Sequence, residues 1–160
     1  MSSAAPARRL PVVVSIVVAL MVMIAPLPDW AVTFRPDWLT LTLIYWAIWL
    51  PRSWSVGSAW LAGLVLDVAQ GTLLGQHALA LCIVVFVTVR LHLLMRVFPV
   101  SQLTATVFSL LALYQFILFW TNGVAGVPVA AIHYWAPVIS GAIFWPLVTM
   151  LLHGARMRAQ

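Results

Sequence analysis

From Leu10 to Leu27 the chain carries no charged residue, and five more largely apolar stretches follow before residue 153. Helices that span a bilayer need roughly 20 apolar residues each. In water such runs would have to be covered by polar protein, and there is too little of it. Hydrophobic residues make up 64% of the chain and charged ones 7%, against about 45–50% and about 25% in ordinary soluble domains. Lipid is therefore the expected solvent, and backbone polar groups in lipid must be satisfied within the chain. The expected fold class is all-α, a polytopic integral membrane helix bundle. Six spans would use about 120 of the 160 residues, which leaves no room for a soluble catalytic domain.

Turn and breaker residues divide the sequence into six expected spans, at about 10–27, 37–50, 55–75, 77–97, 101–121 and 131–153. The second is short and is expected to cross with little tilt, to be extended by its flanks, or to be partly re-entrant. A five-span layout is the alternative. All eight basic residues are arginine, and their distribution favours six. With six spans, Arg8, Arg9, Arg52, Arg90, Arg96, Arg156 and Arg158 share one side and only Arg35 lies on the other. Basic residues stay in the cytoplasm, so both termini are expected there. Trp30, Trp38, Trp120 and Trp135 then fall near the outer boundary, and Trp49 and Trp54 near the inner one, as amphipathic rings prefer. Trp145 lies within the last span and fits neither belt. The run behind Arg8 and Arg9 has the order of a signal peptide but no small-x-small cleavage pattern, so an uncleaved first span is expected.

Scattered arginines suit topology better than phosphate binding along a nucleic acid, and no nucleic-acid partner is expected. Cys82 has no second cysteine to pair with. No two of His77, His92, His133 and His153 have metal-ligand spacing on one helix, and no cofactor is expected. The chain contains no Glu or Lys, no Gly-x-Ser-x-Gly, no His-Glu-x-x-His and no phosphate-binding loop. With one intramembrane aspartate, no reacting pair is assembled, and enzymatic activity is not expected.

That aspartate, Asp67, is the most informative polar residue. A carboxylate at such depth costs about 2.5–3.5 kcal/mol on insertion scales, so it should face the bundle interior and either stay protonated or have a donor nearby. At about 1.5 Å per residue it lies about 12 Å deep, while Tyr114 and Gln115 come out at about 10 Å. Either is the expected partner, with Arg90 a second choice. Gly57, Gly63, Gly71 and Gly75 surround it. Ala59 to Gly63 and Gly71 to Gly75 have the small-x-x-x-small spacing that lets helices approach, which marks the third span as the most tightly packed. Arg35, Pro36 and Asp37 read as a helix start, with Asp37 beside the positive end of the dipole.

Arg35-Pro36-Asp37, then Pro51-Arg52, Gly57, and Gly63-Leu64-x-x-Asp67-x-x-x-Gly71-x-x-x-Gly75-x-x-Ala78-Leu79, in this order, resemble the MreD family of bacterial rod shape-determining proteins. The motif portion covers about residues 35–79, and the second half resembles the family mainly in hydropathy. Gln70 and Gln76 depart from the commonest pattern. The resemblance implies a non-enzymatic scaffold subunit of the cell-wall elongation machinery in the bacterial inner membrane. It implies MreC as partner, with RodA, its transpeptidase partner and MreB close by, and self-association is a further contact to expect. It also implies a fold similar to the substrate-binding subunits of energy-coupling-factor transporters. Hence the competing expectation is a small-molecule-binding membrane subunit or carrier.

Overall fold

The computed structural model describes residues 10–51, 56–128 and 134–158; Arg8, Arg9, Arg52, Trp54 and His133 lie outside the described residues. The described chain is helical without strands. Its elements are α1 (Leu10–Ile24), a single turn α2 (Asp29–Val32), α3 (Trp38–Trp49), α4 (Val56–Gln70), α5 (Gln76–Val97), α6 (Val100–Val124) and α7 (Ala136–Arg158). Helices α5, α6 and most of α7 are long and apolar enough to cross a membrane, while α1, α3 and α4 are shorter apolar helices.

The short second stretch becomes the centre of the bundle. Every residue of α3 from Leu39 to Ile48 is buried, and α1, α5 and α7 pack around it. A helix that is apolar on all sides has no face for water, and α3 places none at the surface. The third stretch, α4, was expected to be the most tightly packed; it does approach a neighbour closely, at Gly63 against Ala78 of α5, but the most enclosed helix is α3. In α4 only Ala59, Ala62, Gly63, Leu66 and Asp67 are buried.

Helix α4 also stops earlier than the expected 55–75 span, at Gln70. Gly71 (φ 64°) and Gly75 (φ 96°) take left-handed backbone, which glycine adopts without the Cβ penalty of other residues. They form the turn into α5. The expected Gly71–Gly75 helix-packing pair is therefore corrected: these glycines reverse the chain. Gly63 is the packing glycine, since a Cβ there would run into the backbone of Ala78 on α5. Gly57 has open space around it. A close approach the sequence reading did not single out occurs at Gly141 on α7, where a Cβ would lie 2.7 Å from the Leu111 side chain.

The two ends of the bundle differ in charge. Asp29, Asp37 and Asp67 lie toward one end, where α3 begins and α4 turns into α5. Arg96 and Arg156 gather at the other, around the end of α3.

Candidate functional site

Asp67 sits in the last turn of α4, fully buried. Reversal at the two glycines carries the start of α5 back over it. Its Oδ2 accepts from the backbone N–H of Gly75 at 2.8 Å and of Ala78 at 3.4 Å. Its Oδ1 accepts from the His77 N–H at 3.0 Å, the Thr72 hydroxyl at 3.0 Å and His77 Nδ1 at 2.7 Å. The first N–H groups of any helix lack intrahelical acceptors and carry the positive end of the dipole. Asp67 thus caps α5 from the preceding helix. None of its bonds comes from Gln115, Tyr114 or Arg90, so the expected partner across the bundle is corrected. The depth count placed those residues level with Asp67, but it took α4 to continue to residue 75. Once the helix ends at Gln70, the nearest donors are those of the turn itself. Gln115 is buried on α6, and Arg90 is exposed with its guanidinium 5.2 Å from the Phe86 ring centroid.

His77 was read from the sequence only as a metal candidate to be dismissed. It is 7% exposed, and its ring lies against the Asp67 carboxylate at 2.7 Å. As the carboxylate accepts, Nδ1 carries the proton at this contact. The signal available was a histidine just past a Gly-x-x-x-Gly turn that follows a buried aspartate. The His77 ring lies 6.3 Å from that of Tyr114. The buried Tyr114 hydroxyl faces Asp37 and the Thr40 hydroxyl without a well-aligned hydrogen bond to either. Asp37 caps α3 by accepting from the Thr40 N–H at 3.1 Å, so the helix-start reading of Arg35-Pro36-Asp37 holds. Arg35 does not pair with Asp37. It reaches back to the carbonyls of Val22 and Ala25 and closes the C-terminal end of α1.

An Asp–His pair can orient a general base, yet catalysis also needs an open ring nitrogen and a reacting group within reach. Here both side chains are enclosed, and the carboxylate spends its contacts on backbone and hydroxyl donors. No group of three or more metal-ligating side chains occurs among the described residues.

At the opposite end, Arg96 donates to the carbonyls of Ile48 and Trp49 at 2.8 and 2.9 Å. This places a cation at the negative end of α3. The guanidinium carbons of Arg96 and Arg156 lie 5.4 and 4.1 Å from the Trp49 ring centroid. Trp145, which fitted neither belt, is 1% exposed and belongs to the core. Trp46 donates its indole N–H to Ser15 at 2.8 Å and ties α3 to α1. Between α1 and α7, floored by Trp38 and Thr42, runs an apolar groove of about 660 Å³. It follows α1 from Leu10 to Val22 and α7 from Val148 to Ala155.

Helices with apolar outer faces, polar groups turned inward and caps supplied by neighbouring helices define a membrane protein of the helical-bundle class. A family model described as rod shape-determining protein MreD matches residues 7–154. The chain belongs to the MreD family. It is similar to the rod shape-determining protein MreD of Haemophilus influenzae (strain ATCC 51907 / DSM 11121 / KW20 / Rd), 25% identical over 147 residues that cover 90% of this chain and 89% of that one. No solved structure matches it.

Proposed function

We propose that the protein is a non-enzymatic scaffold subunit of the bacterial cell-wall elongation machinery, seated in the inner membrane, where it binds MreC and helps to position the peptidoglycan synthases. The carrying observation is the family match over residues 7–154. The chemistry of Asp67 supports the same reading. Its buried carboxylate is engaged by three backbone N–H groups, a hydroxyl and a histidine ring, and so serves to fix a helix turn. A scaffold needs fixed helices and outward faces for partners. The layout goes with it: six passes, both termini cytoplasmic, and the Arg96–Arg156 end inside, as basic residues are retained there.

The groove between α1 and α7 is the face we assign to the membrane anchor of MreC. It runs the height of α1, is lined by apolar side chains with only Ser15 and Thr42 polar, and separates two helices that barely touch. Photo-crosslinking residues placed at Val14 and Leu151, both at least half exposed, are expected to capture MreC in native membranes. The same residue placed at Phe86 on α5 should capture none. Capture at Phe86 alone would move the contact to another face. Failure of MreC to co-purify under any condition, with a small molecule retained instead, would favour the carrier reading.

A further inference from the structure

The arginine end of the bundle holds a second, more polar pocket, of about 520 Å³, between the ends of α3, α5 and α7 and the start of α6. Tyr45, Trp49, Arg96, Trp145 and His153 line it, with apolar walls from residues such as Met95 and Leu103. Tyr45 is 1% exposed, and its hydroxyl has no well-aligned hydrogen-bond partner. That hydroxyl faces Arg156. Arg156 borders the pocket beside Tyr45 and Trp49, and its Nη1 is shielded from solvent without a well-aligned hydrogen-bond partner.

A shielded guanidinium nitrogen without an acceptor is costly unless an anion meets it. The chain has no acidic side chain there. Its only acids are Asp29, Asp37 and Asp67, and all three lie toward the other end of the bundle. Arg96 is already committed to the carbonyls of α3, so the free donors are those of Arg156 and Tyr45, with exposed His153 at the rim. Guanidinium groups bind phosphate through paired N–H donors, and tryptophan rings with apolar walls suit the glycerol and acyl portion of a lipid.

We propose that this pocket binds the phosphate of an anionic lipid, with Arg156 and Tyr45 as its donors and Trp49 and Trp145 as its walls. The leaflet, cytoplasmic, rests on the orientation proposed above; the site chemistry does not. Anionic lipids supply that phosphate at the cytoplasmic surface, and free phosphate is the other source of the same group.

Native mass spectrometry of the full-length protein in detergent tests this without reference to orientation. Wild type is expected to retain phosphatidylglycerol over diacylglycerol, which has the same glycerol and acyl chains but no phosphate, by roughly tenfold, the scale of a charge-assisted hydrogen bond. Arg156→Gln should remove that preference, and Tyr45→Phe, which keeps the ring, should weaken it several-fold. Arg90→Gln makes the same change in net charge on an exposed residue outside the pocket, and should leave the preference intact. Millimolar inorganic phosphate should not displace the lipid; displacement would assign the site to free phosphate and overturn the lipid. Equal retention of the two lipids by wild type, or equal loss in the Arg156 and Arg90 variants, would overturn the site. A variant that elutes as aggregate is read through Tyr45→Phe, whose unchanged lipid preference would also count against it.

Discussion

At Asp67 a single side chain supplies the acceptors that the first turn of α5 lacks. Asp67→Leu would leave the N–H groups of Gly75, His77 and Ala78 without their acceptor, away from water. Each such loss costs about 1–3 kcal/mol, so a destabilisation of at least about 3 kcal/mol is expected, with a large fall in the temperature at which the detergent-solubilised protein aggregates. Asp67→Asn keeps one acceptor but turns an NH₂ toward the N–H groups at the other oxygen position. It should fall between the two, at about 1–3 kcal/mol. Equal loss in both variants would show that the charge matters beyond its acceptors. At the same scale, the structure separates residues that the motif joins. Arg35 closes α1, Asp37 opens α3, and Pro36 stands between them without an ion pair across it.

Among the elements, the α4–α5 pair has the closest backbone approach, and one glycine permits it. Gly63→Ala would force the backbones apart at Ala78 and is expected to cost about 1–3 kcal/mol, the usual range for overpacking. Gly57→Ala meets nothing within 4 Å and should be neutral or stabilising by up to about 1 kcal/mol through helix propensity. Comparing the unfolding of both variants in detergent checks the contrast; similar losses would place the packing contact elsewhere. Helix α3 shows how length and burial combine. At 12 residues it rises about 18 Å, well short of a hydrocarbon core of about 30 Å. Its neighbours enclose it, Trp46 bonds α1, and Arg96 covers its last carbonyls.

For the whole molecule, the placing of all three aspartates toward one end and of Arg96 and Arg156 at the other is the feature that labelling can read. In a Cys82→Ala background, Val32→Cys at the end of α2 should react with a membrane-impermeant maleimide in intact cells. Met157→Cys near the end of α7 should react only after the membrane is opened. Both positions are more than 45% exposed, so access depends on the side of the bilayer. Reaction of both in intact cells would reverse or break the proposed layout. The molecule then divides its polar chemistry by end: Asp37 and Asp67 cap helix starts and Arg35 closes α1 in one half, while Arg96 covers the end of α3 and flanks Trp49 with Arg156 in the other.

Much of this was legible in the chain. Apolar runs with few charges require a helical membrane protein whatever their order, because unpaired backbone in lipid is too costly. The order Arg35-Pro36-Asp37 to Ala78-Leu79 carried the family, and Asp37 was readable as a helix start because capping is local. The partner of Asp67 was not readable. It depended on where α4 ended, and that was set by two left-handed glycines whose spacing suits a packing motif equally well. The enclosure of α3, the burial of Trp145 and the meeting of Arg96 and Arg156 at Trp49 join residues dozens of positions apart. Local sequence determined that these segments are helices in lipid; only the packing decided which helix is central and which charges face each other, because those contacts exist only once the helices are side by side.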